Sequence, residues 1–282
     1  MLFDTTFARE VAMSNLKAIG VFDSGLGGLT VLSALHRLLP NESTVYLGDT
    51  ARLPYGTKSP QTVVRYALNN ARALLSLADL KLLVVACNTV SAVALDALRD
   101  ALSIPVIGVI EPGAQAAASD KKTKSIAVLA TAGTIASGAY ELALRKQGFT
   151  GTIYTQACPL FVPLVEEGLI SGPIPESIAQ HYLSNMPTDV DSIILGCTHY
   201  PLLLPILSKV FPGSPRWIDS GKETALKVQQ EMARTGLLSD STSPTRHRYM
   251  ATDAPLRFEQ LAQFYLGKPI PQKCVEFVDV GN

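Results

Sequence analysis

Short apolar runs alternate with helical stretches along the whole chain, and this alternation limits the fold more than any other feature. It is typical of an α/β protein with largely parallel sheets. The predicted strands cover residues 18–22, 44–47, 82–86, 106–110, 126–129, 192–195 and 216–218, with weaker candidates at 248–251 and 275–278. Predicted helices lie between them, for example at 60–78, where Ser59 is placed to cap, and at 135–147, which ends at Gly148.

The two halves of the chain repeat one pattern. AIGVFDSGLGG (18–28) has the same order of strand, small polar residues, glycine and helix as SIAVLATAGTI (125–135). LLVVACNTVS (82–91) corresponds in the same way to SIILGCTHYP (192–201). The pattern predicts two related α/β units, each with a cysteine at the C-terminal end of a core strand, where open α/β sheets bind ligands. Coincidental similarity between βα units is the alternative.

Composition excludes several classes of protein. Lys plus Arg and Asp plus Glu both number 24 in the 282 residues, so we expect no binding of nucleic acid and no attraction to an anionic membrane. No apolar run approaches the roughly 20 residues that cross a bilayer, and the first 17 residues lack the apolar core of a signal peptide. Four scattered cysteines without a C-x-x-C pair argue against disulfides and a zinc ribbon, and fit the cytoplasm.

Two loops follow predicted strands. DSGLGG (23–28) opens a helix, so its backbone amides can form an anion-binding nest. A dinucleotide fingerprint would need a third glycine where Thr30 stands, so a small anion such as a carboxylate is the better candidate. GDTARLPYG (48–56) is either a plain loop or the wall of a ligand site.

The two cysteines of the repeat carry the main chemical hypothesis. Cys87 is followed by Asn88 and Thr89, and Cys197 by Thr198 and His199. One cysteine near a histidine would suggest a nucleophile of the protease or amidase kind. Two matched cysteines predict instead a pair that faces each other across a cleft. Such a pair can remove a proton from one side of a substrate and return one from the other, which inverts a stereocentre.

This chemistry needs a thiolate base and a stabilised carbanion. Asp23 and His199 are the candidates to accept or shuttle the thiol protons. Donors around the substrate carboxylate would stabilise the carbanion, and the motifs offer Ser24, Asn88, Thr89 and Thr198 for this purpose. No Schiff-base lysine and no metal cluster is evident in these motifs, so the predicted reaction needs neither a cofactor nor a metal.

Five motifs together, DSGLGG, GDTARLPYG, ACNTVSA, CPLFVPLVEEG and LGCTHYP, resemble those of the glutamate racemases, in the cofactor-independent aspartate/glutamate racemase superfamily. The resemblance runs from about Leu16 to the C-terminus and includes IDSGKETA and FEQLAQFYLG. It implies interconversion of L- and D-glutamate by two bases, which supplies D-glutamate for peptidoglycan. By the same resemblance, Cys87 acts on the D-enantiomer and Cys197 on the L-enantiomer.

The resemblance also implies site residues. The implied substrate contacts are Asp23, Ser24, Tyr55, Gly56, Asn88, Thr89, Thr198 and His199. Asp49 and Glu166 match acidic positions linked to proton handling, although a turn-capping aspartate and a solvated helix glutamate are equally good interpretations.

The implied architecture is two pseudo-symmetric α/β domains with the active site in the cleft between them. The first domain would comprise residues 1–110 and 218–282, and the second residues 111–217. The protein would be a monomer or a homodimer. Longer N-termini in the family can accompany activation by UDP-N-acetylmuramoyl-L-alanine, and the short N-terminal extension here, where Met13 could be the true start, leaves that question open.

Two alternatives stay open at this level. An aspartate racemase, or a decarboxylase or isomerase of the same superfamily, would keep the fold and change the reaction. A module that binds zinc through Cys87, Cys197, His199 and Asp23 would be of another class, although a Cys-x-His pair lacks the usual wider ligand spacing.

The remaining distinctive residues have no assigned chemistry. Cys158 and Cys274 are interpreted as structural. Three histidines, His36, His181 and His247, are predicted to lie on the surface, and Trp217 is predicted to pack against the core. The basic segment PTRHRYM (244–250) is predicted to be a solvated loop.

Overall fold

A computed structural model describes residues 17–240 and 244–281. The expectations about a signal peptide and the N-terminal extension fall on residues 1–16 and lie outside the described residues. The strands are β1 Ala18–Asp23, β2 Thr44–Gly48, β3 Leu80–Val85, β4 Val106–Gly108, β5 Ser125–Ala130, β6 Thr152–Ala157, β7 Ser192–Gly196, β8 Arg216–Asp219, β9 His247–Ala251 and β10 Val275–Phe277.

Helices connect these strands. They are α1 Leu29–Leu38, α2 Pro60–Leu77, α3 Asn88–Val93, α4 Leu95–Ala101, α5 Ile110–Ala118, α6 Ala132–Ala136, α7 Ala139–Lys146, α8 Phe161–Glu166, α9 Pro173–Leu183, α10 Leu204–Val210, α11 Ser220–Thr235 and α12 Pro255–Leu266. Short 3₁₀ turns lie at Thr50–Arg52, Tyr55–Thr57 and Tyr200–Leu203. The expected alternation of strands and helices is confirmed.

The strands form two parallel sheets. The first has the order β10-β9-β2-β1-β3-β4 and combines strands from both ends of the chain. The second has the order β6-β5-β7-β8. The inner strands β1, β3 and β7 are buried along their whole length, which explains why they appear in the sequence as continuous apolar runs.

Corresponding strands sit in the same relative position in the two sheets. β1 pairs with β3 in the first sheet, and β5 pairs with β7 in the second. Both pairs are parallel, so the polar residues that follow them collect at one edge of each sheet. The two halves of the sequence repeat therefore correspond to two similar βαβ arrangements.

Two strands and one helix differ from the expectation. The strand expected at 106–110 ends at Gly108, and α5 begins at Ile110. β6 was not expected, because its residues TIYTQA are partly or fully exposed at the sheet edge and form no apolar run. The helix expected at 135–147 is two helices, α6 and α7, because Gly138 adopts a left-handed conformation (φ 65°) between them. The cap on α2 is present, since the Ser59 hydroxyl accepts a hydrogen bond from the Thr62 amide at 3.4 Å.

Two expectations about the surface are wrong. His36 and His247 are partly buried and stack on each other with ring centroids 4.0 Å apart. A nitrogen of each ring lies within hydrogen-bond distance of the Thr44 hydroxyl. The segment 244–250 is a loop only at residues 244–246, because residues 247–250 belong to β9, where Arg248 forms an ion pair with Glu276 at 2.8 Å.

Other side chains lie where they were expected. His181 is exposed, and Trp217 packs with its ring edge-on to Phe211. Cys158 is fully buried in the core, and Cys274 is partly buried.

The division into domains at 110/111 and 217/218 stays a prediction. β8 extends the second sheet to Asp219, since Leu195 of β7 pairs with Asp219. In the part of the chain that the structure describes, no helix is long and apolar enough to cross a membrane.

Candidate active site

A cavity of about 360 Å³ lies beyond the C-terminal ends of the inner strands of both sheets. Its walls are formed by Ser24, Leu53, Pro54, Tyr55, Gly56, Thr57, Cys87, Asn88, Thr89, Thr131, Ala132, Pro159, Val162, Pro163, Glu166, Cys197, Thr198 and His199. Ten of the twelve predicted site residues are in this set; Asp23 and Asp49 are not. The cavity therefore brings Cys87 and Cys197 together, although 109 residues separate them in the chain.

Cys87 comes from the first sheet. It follows β3 and stands at the N-cap of α3, where the backbone is still extended. Its thiol donates a hydrogen bond to the Ser24 hydroxyl at 3.5 Å. Burial, together with the nearby carboxylate of Asp23, raises the pKa of Cys87 to about 12. Cys87 is therefore a thiol at neutral pH.

Asp23 lies behind this thiol at the end of β1. Only 1% of its surface is exposed. One carboxylate oxygen accepts the Gly25 amide at 2.9 Å, and the other, Oδ1, is buried without a hydrogen-bond partner among the described residues. Gly28 is needed here, because a Cβ at that position would stand 2.5 Å from the Asp23 Cβ. Burial raises the pKa of Asp23, which makes it a better proton acceptor than an ordinary aspartate.

Cys197 comes from the second sheet, directly after β7, and has different neighbours. The Nδ1 atom of His199 lies 3.8 Å from the Cys197 sulfur, and the Nε2 atom lies 3.3 Å from Glu166 Oε1. Burial lowers the pKa of His199, but the hydrogen bonds to Cys197 and Glu166 outweigh it and raise the pKa to about 10. His199 is therefore an imidazolium at neutral pH, whose charge Glu166 balances.

Asn88 offers a free donor to a ligand. The Tyr140 hydroxyl donates to Asn88 Oδ1 at 2.7 Å and fixes the amide. The Asn88 Nδ2 group is buried and has no partner among the described residues, although Asn88 lines the cavity. A buried donor without an acceptor is costly, so the site is suited to an anion that supplies one.

Threonines from both sheets close one side of the cavity. Thr89 Oγ1 lies 3.1 Å from Thr131 Oγ1 and 3.4 Å from Thr134 Oγ1. On the other side, the Thr30 hydroxyl donates to the Thr198 carbonyl at 2.9 Å. Gly27 lies so close to Thr198 and His199 that a Cβ would collide with both side chains. These contacts join the two βαβ units around the site.

The sequence motifs missed three residues next to the predicted ones. Thr131 was visible only as part of the second copy of the repeat, SIAVLATAGTI (125–135). Tyr140 and Tyr265 lie in helices with no motif of their own, although Tyr140 holds Asn88 and the ring of Tyr265 packs edge-on against His199 with centroids 5.7 Å apart. No local pattern marked these two tyrosines.

Asp49 lies behind the cavity wall. Its carboxylate has no exposed surface and accepts hydrogen bonds from the side chains of Tyr55, Arg52, Asn70 and Thr252. The expected part of Asp49 in proton handling therefore stays a prediction that the geometry does not favour.

The charge of the cavity is also informative. None of its lining residues is a lysine or an arginine. Within residues 17–240 and 244–281, no three His, Cys, Asp or Glu side chains are grouped to hold a metal ion. The alternative, a zinc site of Cys87, Cys197, His199 and Asp23, is therefore not seen among the described residues.

Comparison with known proteins agrees with this geometry. The sequence model of the Asp/Glu/Hydantoin racemase family matches residues 19–228. The chain is 48% identical over 253 residues to a glutamate racemase of Geobacter metallireducens, covering 89% of this chain and 93% of the relative.

Two solved structures are similar over almost the whole chain. Glutamate racemase of Francisella tularensis, in complex with D-glutamate, superposes with a TM-score of 0.87 at 36% identity and covers 94% of this chain and 98% of its own. Glutamate racemase of Escherichia coli, in complex with L-glutamate and the activator UDP-MurNAc-Ala, superposes with a TM-score of 0.72 at 30% identity and covers 88% and 95%. The cavity with its two cysteines, the two parallel sheets and these matches lead to one conclusion: the chain belongs to the Asp/Glu/Hydantoin racemase family.

Proposed function

We propose that this protein is a glutamate racemase that interconverts L- and D-glutamate with two cysteine bases and without a cofactor. The observation that carries the proposal is that Cys87 and Cys197 line one cavity but come from different sheets. Thiols that approach from opposite walls can act on opposite faces of one substrate carbon. The solved relatives bound to D- and L-glutamate support glutamate as the substrate.

The reaction in the D to L direction begins at Cys87. Asp23 accepts the thiol proton, and the resulting thiolate removes the proton from the substrate Cα. The electron pair of the broken C–H bond stays on the substrate and is delocalised into its carboxylate. Hydrogen bonds from Asn88, Thr89 and neighbouring backbone amides hold that carboxylate as the charge develops.

The reaction ends at Cys197. Its thiol gives a proton to the opposite face of Cα, which leaves a thiolate beside the His199 imidazolium. An adjacent positive charge stabilises such a thiolate. In the L to D direction the roles are exchanged, and Glu166 keeps His199 in place. Apart from the His199 imidazolium, the substrate binds to neutral donors, since no lysine or arginine lines the cavity.

Three further points belong to the proposal. D-glutamate would serve peptidoglycan synthesis in the cytoplasm, and the four cysteines, all free among the described residues, suit that reducing compartment. The activator bound by the Escherichia coli relative supports a measurement of turnover with and without UDP-MurNAc-Ala. We propose a monomer or a homodimer, which light scattering distinguishes.

The direct test is incubation of the pure protein with single amino acids in deuterated water, following optical rotation and Cα exchange. We expect exchange and racemisation with glutamate and much slower reaction with aspartate. Cys87→Ala and Cys197→Ala are each expected to abolish racemisation without unfolding the protein. Faster turnover of aspartate than of glutamate would show that aspartate is the preferred substrate. Retained turnover in either cysteine variant would refute the two-base assignment.

A further inference from the structure

The carboxylate of Asp49 is the centre of a closed hydrogen-bond network behind the cavity. Its Oδ2 atom accepts from the Tyr55 hydroxyl, from Arg52 Nε at 2.7 Å and from Asn70 Nδ2 at 3.3 Å. Its Oδ1 atom accepts from the Thr252 hydroxyl at 2.9 Å. A fully buried carboxylate is tolerated only when it is paired and hydrogen-bonded, and four donors meet that demand here.

Asp49 acts on the cavity through the turn that carries Tyr55 and Gly56. Both residues line the cavity, while Asp49 does not. A Cβ on Gly56 would stand 3.0 Å from the Thr131 Cβ, and a Cβ on Gly133 would stand 2.8 Å from the Gly56 carbonyl oxygen. The turn therefore touches the opposite wall, and a small displacement of Tyr55 changes the width of the site.

The network reaches a distant part of the chain through Thr252. This residue follows β9, and its amide donates to the Gly48 carbonyl at 3.1 Å. The Thr252 hydroxyl also accepts the Ala51 amide at 2.9 Å. Thr252 thus holds the loop that precedes Tyr55 at Gly48 and at Ala51.

Arg52 adds further contacts to the hydrogen-bond network of Asp49. Besides its ion pair with Asp49, it donates to Asn70 Oδ1 at 2.8 Å and to the Gly281 carbonyl at 3.1 Å. Its guanidinium group stacks over the Tyr66 ring at 4.3 Å. A rigid bidentate donor that is also stacked is hard to replace by lysine.

We propose that Thr252, Asn70 and Arg52 are positioning residues that act through Asp49 to hold the Tyr55–Gly56 wall, and that they set the affinity for glutamate rather than the rate of proton transfer. This proposal rests on the proposed function. Neither reacting cysteine contacts the network, so a change in it alters substrate binding and leaves the chemical step intact.

The test is the Thr252→Val variant, which keeps the shape of the side chain and removes both the donor to Asp49 and the acceptor of the Ala51 amide. We expect KM for glutamate to rise about tenfold or more, since the loss of a charge-assisted hydrogen bond alone corresponds to about tenfold. We expect kcat to stay within about twofold, and Thr252→Ser to restore KM because it keeps the hydroxyl.

Thr44→Val is the matched control. Thr44 is a buried threonine with two side-chain hydrogen bonds, at the opposite end of the neighbouring strand β2. The Thr44→Val substitution is expected to lower the melting temperature and to leave KM for glutamate unchanged. An increase of KM in the control equal to that in Thr252→Val would overturn the proposal.

The remaining outcomes are also decisive. If Thr252→Val does not fold, the increase in KM must appear in Arg52→Lys. This variant keeps the positive charge and loses the planar guanidinium group with its several donors. If the wild type is active and KM is unchanged in the folded variant, the positioning role of the network is refuted and the proposed function is not. Absence of glutamate turnover in the wild type refutes the proposed function and this proposal with it.

Discussion

The Nδ1 atom of His199 lies 3.8 Å from the sulfur of Cys197, whereas the Cys87 thiol hydrogen-bonds to the Ser24 hydroxyl and has no histidine partner among the described residues. The two halves of the site are therefore similar in backbone and different in electrostatics. An imidazolium serves one thiol, and a buried carboxylate, Asp23, serves the other. The repeat supplies two bases, and the substitutions around them give each base its own proton partner.

The raised pKa of His199 makes part of the stability depend on pH. Its pKa is about 10 in the folded protein, above the ordinary 6.5. The contribution of His199 is therefore fully present below pH 6.5 and is lost as the pH rises through about 10. We expect the difference in free energy of unfolding between wild type and His199→Gln, measured in urea, to shrink between pH 7 and pH 10.5.

The exposed His181 provides the control for that measurement. His181→Gln is expected to differ from the wild type by the same small amount at both pH values. A difference for His199→Gln that stays constant, or grows, with rising pH would show that His199 is neutral in the folded protein.

The charge of Asp23 is predicted to hold back ionisation of Cys87. Burial is the main cause of the high pKa of Cys87, and Asp23 adds to it. Asp23→Asn should therefore lower the pKa of Cys87 and speed its alkylation by iodoacetamide, quantified by peptide mass spectrometry in a Cys197→Ala background. In the otherwise intact enzyme the same change should slow racemisation about a hundredfold or more, since the proton acceptor is lost.

Ser24→Ala is expected to have the opposite effect on the alkylation of Cys87. The hydrogen bond to Ser24 lowers the pKa of Cys87, so its loss should slow alkylation. Slower alkylation in Asp23→Asn as well would show that the charge of Asp23 does not hold back ionisation of Cys87.

The stacked pair of His36 and His247 is predicted to make the protein sensitive to acid. Burial, with His247 and Lys268 nearby, lowers the pKa of His36 to about 3, and burial also lowers the pKa of His247. The unfolded chain therefore takes up protons first, and stability is lost as the pH falls below 6.5 towards 3. For His36 the loss approaches about 1.4 kcal/mol per pH unit.

His36→Phe tests this dependence because it keeps an aromatic ring and removes one titrating group. We expect the variant to lose less stability than the wild type between pH 7 and pH 4.5, as measured by urea unfolding. An equal loss in both proteins would show that the pair is not responsible.

The fold was predictable where burial leaves a mark on the sequence. The inner strands appear as apolar runs, and the expected α/β class with parallel sheets is confirmed. The edge strand β6 could not be recognised, because Thr152 and Gln156 belong to a half-exposed face with no periodic apolar pattern. The break at Gly138 depends on a backbone conformation that glycine permits but does not dictate.

The site was predictable where residues with reactive or hydrogen-bonding side chains directly follow a strand. Ser24, Cys87, Asn88, Cys197 and His199 each follow an inner strand of a parallel sheet, so the topology brings them to one place. The surroundings of Asp49 could not be foreseen, since its donors Asn70 and Thr252 are 21 and 203 residues away. Long-range partners such as Tyr140 are set by packing, which no local motif records.

The most direct test of the two-base account is the isotope content of L-glutamate formed from D-glutamate in deuterated water at low conversion. One cysteine removes the Cα proton and the other delivers a solvent-derived deuteron, so the product is predicted to carry deuterium at Cα while the remaining D-glutamate keeps protium. L-glutamate that retains the original proton would mean that a single base carries it from one face to the other, and would contradict the opposed roles of Cys87 and Cys197.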